Sequence, residues 1–105
     1  MRDKLPARER IGAVRAEDAE AMAIEILGWL VGQPDLLNRF MALVGVDAGS
    51  IRRAAAEPGF LAAVTGFVMA HEPTLMAFCE ENDVKAERVA ACHHKLAGPE
   101  SENWP

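Results

Sequence analysis

Apolar residues recur along most of the chain at intervals of three and four, the spacing of one face of an α-helix. Met22, Ile26, Trp29 and Leu30, flanked by Ala19, Ala23 and Leu27, predict a first helix from about Glu17 to Val31. Glu17, Asp18 and Glu20 fall in its first turn, where carboxylates favour the helix dipole, and Gly32 ends it. Pro34 suits the opening turn of a second helix that turns Leu37, Phe40, Met41 and Val44 inward and stops at Gly45. Asp47 caps a short third helix through Ile51, Ala54 and Ala55. Pro58 breaks that helix and opens a fourth, whose Phe60, Leu61, Val64, Phe67 and Val68 make the most apolar stripe of the chain. Pro73 starts a fifth with Leu75, Met76, Phe78 and Cys79. Asn82 is expected as its left-handed stop, and Asp83 as the cap of a sixth helix holding Val89, Cys92 and Leu96. No segment alternates with period two, so the expected fold class is all-α: a compact bundle of five or six short helices in residues 15–96.

The same register repeats. Displaced by 38 positions, Met22 falls on Phe60, Ile26 on Val64, Trp29 on Phe67, Leu30 on Val68, Leu37 on Leu75, Phe40 on Phe78 and Met41 on Cys79. Past the turn, Val46 falls on Val84 and Ile51 on Val89. Two readings account for this. Either the domain is two three-helix pseudo-repeats, or two amphipathic stretches of similar length agree by chance, since almost no polar identities accompany the match.

Composition sharpens the picture. Half of the 105 residues are hydrophobic, there is no Tyr, and strong helix formers dominate. The runs Ile26 to Val31 and Phe60 to Met69 fall short of the roughly 20 apolar residues that a membrane span needs, and the N-terminus lacks the pattern of a secretory signal. A soluble, cytoplasmic protein with no membrane partner is therefore expected. The net charge is −5, unevenly spread: five cations against two carboxylates leave +3 in the first fifteen residues and −8 in the rest. An acidic body repels phosphate backbones, which argues against nucleic acid as a partner. Residues 1–14 read as a flexible basic arm and residues 97–105 as a flexible acidic tail, each too poor in large apolar residues to fold alone.

Candidate chemistry is sparse. Cys92, His93 and His94, with His71 and Cys79 elsewhere, are ligand types that zinc or copper prefers. Neighbours on a helix point about 100° apart, however, so the three cannot converge on one ion. The competing reading packs Cys92 inside and leaves the His pair on a solvated last turn, and no metal site or other cofactor is assigned. Cys79 and Cys92 fit no disulfide framework and read as small buried hydrophobes. Glu80, Glu81 and Asp83 read as a solvated acidic corner, and Glu25 and Asp35 as isolated carboxylates. Arg39, Arg52 and Arg53 form a small basic spot or ordinary solvated helix faces. Ser50, Thr65, Thr74 and Ser101 include no glycine-flanked nucleophile turn, and no phosphate-binding glycine loop is present. Gly28 and Gly66 lie inside expected helices at a cost of ~1 kcal/mol each, which close helix crossing would compensate. Trp104 is a docking anchor or folds back onto the domain; the sequence does not separate these.

The segments "GWLVGQPDLLNRFMALVGV" from Gly28 to Val46, "PGFLAAV" from Pro58 to Val64 and "LMAFCEEN" from Leu75 to Asn82 resemble a family of short, uncharacterised alphaproteobacterial proteins, a domain of unknown function. The resemblance covers about three quarters of the chain, rests mainly on apolar positions, and implies no activity, cofactor or catalytic residue. The functional expectation is thus a small non-catalytic protein-interaction or accessory module, not an enzyme, with an unknown protein partner or itself as a homodimer. The alternative is a small-molecule or metal-binding helical domain with its site between helices.

Overall fold

The computed structural model describes residues 14–98. The expected arm and tail, Trp104 included, lie outside the described residues except at their inner ends. There Val14 is only 6% exposed and joins the core, and Ala97 closes the last helix. The described residues form α1 (Ala16–Val31), α2 (Pro34–Val44), a 3-10 turn (Ala48–Ser50) running into α3 (Ile51–Ala54), α4 (Pro58–Met69), α5 (Glu72–Asn82) and α6 (Ala86–Ala97). All are helical, as the periodicity predicts.

Three helices make the centre. α6 packs along both α1 and α4, which also pack on each other, while α2 and α5 attach more lightly to the helix that precedes each. Ala19, Ile26, Leu30, Val64, Val68, Val89 and Cys92 fill the space between the central three. Phe40 from α2 and Phe78 from α5 are fully buried beside them. Burial of side chains of this size contributes ~1.5–3 kcal/mol each before conformational entropy is charged.

The 38-residue register extends to backbone hydrogen bonds. Gln33 N–H donates to Leu30 O at 2.8 Å, and His71 N–H donates to Val68 O at 3.3 Å. Gly45 and Asp83 are both left-handed caps, at φ 73° and 56°, whose N–H groups donate to Met41 O and Cys79 O. Val46 and Val84 then donate to those same carbonyls at 3.2 and 3.0 Å, and Ser50 and Arg88 donate to Asp47 O and Lys85 O at 3.0 and 2.9 Å. Ring contacts are reciprocal as well. Trp29 meets Phe78 edge-on with centroids 5.5 Å apart, and Phe67, 38 residues beyond Trp29, meets Phe40, 38 before Phe78, edge-on at 5.3 Å. A pair i to j′ matched by a pair j to i′ is the signature of a twofold relation. The halves differ in the third helix, which is four residues long in α3 and twelve in α6.

Several local expectations need correction. The left-handed stop after α5 is Asp83, while Asn82 ends the helix with its side-chain amide donating to Phe78 O at 3.0 Å. Because Asp83 is spent on that turn, Lys85 precedes α6 and no side chain caps it. A Cβ built at Gly28 has no atom of the described residues within 4 Å, so no close helix crossing among them explains the glycine. Gly66 does sit at a close approach, 3.2 Å from His93 Cε1 to a built Cβ.

Candidate functional site

His93 is drawn inward by a threonine. Thr65, fully buried on α4, bonds back to the preceding turn at Ala62 O, 3.0 Å away, as buried helical threonines do. Its oxygen is thereby left to accept from His93 Nδ1, 2.7 Å away. The ring lies over Gly66, whose missing Cβ makes the room. Burial pushes the imidazole below its ordinary titration range and the neighbouring His94 adds to that, against a hydrogen bond to the Ala62 carbonyl. The sequence reading placed His93 in solvent with His94; only His94 is exposed. His71, just before α5, instead bonds Thr74 Oγ1 through Nδ1 at 2.7 Å.

The metal-type ligands stay apart. Among the described residues no three His, Cys, Asp or Glu side chains come close enough to hold an ion. Both cysteines are buried thiols. Burial raises the pKa of each, with Glu87 adding to the effect on Cys79, and with Arg88 opposing and Asp18 reinforcing it on Cys92. Of the acidic corner, Glu81 accepts from Trp29 Nε1 at 2.8 Å and so ties α5 to α1. Arg39, Arg52 and Arg53 are exposed. No single helix among the described residues is long and apolar enough to cross a membrane.

Two features stand out on the surface. The first is the outer side of α1, where Ala21, Ile24, Gly28 and Val31 recur at alternating steps of three and four. Ile24 is 46% and Val31 56% exposed, and Glu17, Glu20 and Glu25 border the stripe. No lysine or arginine occurs within α1. The second is an open hollow of about 430 Å³ between α1 and the α5–α6 turn, lined by Met22, Asp83, Val84, Lys85 and Arg88.

The family model described as a protein of unknown function, DUF3572, matches residues 16–99. The chain belongs to that family. The match opens at the first residue of α1 and runs through α6, so the family unit contains both halves of the repeat. No curated protein and no solved structure matches the chain. The α1 stripe, the hollow and the His93–Thr65 pair thus enter on geometry alone. The 38-residue register held a signal for two of them, since it pairs covered Gly66 with uncovered Gly28 and Lys85 with Asp47.

Proposed function

We propose that the domain is a non-catalytic interaction module whose α1 outer stripe receives an amphipathic helix of a partner protein with basic residues on its flanks. The observation that carries this is Gly28. A mid-helix glycine costs ~1 kcal/mol, and among the described residues nothing comes within 4 Å of a Cβ built there. Its counterpart Gly66 supports this reading by analogy, because there another helix comes close. On α4 the stripe Ala62, Gly66 and Met69 is half-buried, with His93 of α6 over the glycine. The corresponding stripe on α1, Ile24, Gly28 and Val31, faces outward because α3 ends after four residues. A helix supplied from outside would occupy the place that α6 takes on the other half, in the helix-in-groove manner.

Charge selects among occupants. Glu17, Glu20 and Glu25 border the stripe, and a second copy of α1 would set these carboxylates against their own kind. A helix flanked by lysine or arginine meets them favourably. The test is a photo-reactive amino acid placed at exposed Ala21 in the full chain, cross-linked in its source cells, with the adduct mapped by mass spectrometry. The reading predicts one helical, Lys- or Arg-flanked segment of another protein, lost with Val31→Asp while the melting temperature holds. Adducts only to a second copy, to residues 1–13 of the same chain, or to no defined segment would overturn it.

A further inference from the structure

We propose that the hollow between α1 and the α5–α6 turn binds a small carboxylate bearing an aromatic ring, at a site separate from the α1 stripe. The internal repeat supplies the comparison. The 38-residue register relates the lining of the hollow to a second set of positions, and each set draws on both halves. In that second set, position 60 is a phenylalanine, set edge-on against Phe40 with centroids 5.5 Å apart, and position 47 is an aspartate whose Oδ1 accepts from Ser50 N–H at 3.0 Å. At the hollow the corresponding residues are Met22, on its wall, and Lys85, which caps nothing. Ser50 corresponds to Arg88, also on the wall. One set of positions therefore carries a ring and a carboxylate. The other carries a slimmer thioether and two cations, neither in an ion pair among the described residues, around an opening of about 430 Å³, within the range of small-molecule sites.

A ligand joining a ring to a carboxylate restores both missing parts. Its ring lies against Met22 and Val84, where the thioether gives favourable sulfur–aromatic contact. Its carboxylate meets Lys85 and Arg88, and arginine offers a fork suited to two carboxylate oxygens. Asp83 at the rim disfavours dianions and selects for a single negative charge.

The probe is 3-phenylpropionate, titrated into the isotope-labelled full chain and followed by amide shifts, with 3-phenylpropanamide and pentanoate as controls. A ring-bearing acid of this size is expected to saturate at about millimolar concentration, with shifts centred on Met22 and on residues 84–88. The amide and the ringless acid should bind at least ~5-fold more weakly, since each lacks one of the two contacts. Lys85→Asp copies Asp47 on an exposed site, so it keeps the fold, supplies the carboxylate from the chain itself, and should weaken binding ~10-fold or more. Met22→Phe, copying Phe60, should fill the hollow and abolish saturation. The proposal is overturned by the absence of saturable shifts there up to ~20 mM, by equal affinity for acid and amide, or by unchanged affinity in Lys85→Asp.

Discussion

Gly28 and Gly66 occupy corresponding places on α1 and α4, and replacing each by alanine separates helix propensity from packing. In an open helix interior the change gains about 1 kcal/mol, which for a domain of this size is a rise of ~4–8 °C in Tm. At Gly28 the new methyl meets no atom of the described residues within 4 Å, so the whole gain should appear. At Gly66 it lands 3.2 Å from His93 Cε1, inside the ~3.5–4.0 Å that carbon pairs prefer. The ring cannot swing aside without cost, because Nδ1 is held 2.7 Å from Thr65 Oγ1. Withdrawing it by a few tenths of an ångström forfeits much of a hydrogen bond worth about 1 kcal/mol net. Gly66→Ala should therefore leave Tm near the wild-type value, and Gly66→Leu should lower stability by ~1–3 kcal/mol through overpacking. Urea and thermal melts of the two alanine variants, with Gly66→Ala repeated in a His93→Ala background, provide the measurement. Removing the ring should return the propensity gain, a coupling of about 1 kcal/mol. Equal gains at both glycines in the wild-type background would refute the account of Gly66, and no gain at Gly28 would refute its openness.

Acid should destabilise the domain through His93. Its folded-state pKa lies below the ordinary ~6.5, so the unfolded chain binds the proton more readily, and stability present above that pH is lost as pH falls through the folded value. Wild type should lose more of its urea midpoint than His93→Gln over that interval, and parallel profiles would refute the assignment. Phe40→Ala should cost ~3–5 kcal/mol, because the ring is fully buried and contacts both Phe60 and Phe67; a loss under ~1 kcal/mol by calorimetry would contradict the packing. Trp29→Phe keeps a ring against Phe78 but drops the exposed bond to Glu81, so a chemical melt should show only ~0.5–1 kcal/mol lost. Cys79 and Cys92 should resist a thiol reagent in the native state and react promptly in urea, as buried thiols with raised pKa values do; fast native labelling would show the helices opening around them.

Helix periodicity was legible wherever a stripe faced the core. Ile26, Leu30, Val64 and Val68 lie where their spacing puts them, since burial of one face is the strongest constraint on such a segment. Caps were less legible because neighbours compete for the same job. Asn82 and Asp83 both suit a left-handed turn, and the choice fell to Asp83 once the Asn82 amide had found the Phe78 carbonyl. His93 was misplaced because its apparent surface position depends on what faces it. A buried threonine and a glycine on another helix, 28 and 27 residues earlier, drew the ring inward. The hollow has no local sequence signature, since Met22 meets the α5–α6 turn only through the tertiary fold.

The two proposed sites share one origin in the asymmetry of the repeat. If the halves were equivalent, α3 would run as long as α6, cover Gly28 as α6 covers Gly66, and leave the α1 stripe no exposed apolar area. Instead Pro58 opens α4 four residues after α3 ends, and α3 stops short. A second difference runs across the same register: the ring at Phe60 and the capping carboxylate at Asp47 have Met22 and Lys85 as their counterparts at the hollow. Each difference carries a local cost, an uncompensated glycine in one place and an uncapped helix end beside two cations in the other. Deviations from a locally consistent pattern concentrate where a protein meets something else. Restoring each half to match its counterpart is accordingly the sharpest joint experiment: Lys85→Asp should raise stability by ~0.5–1 kcal/mol while removing the anion site, and Gly28→Ala should raise it while weakening helix docking. Variants that gain stability and keep both bindings would separate the asymmetry from function.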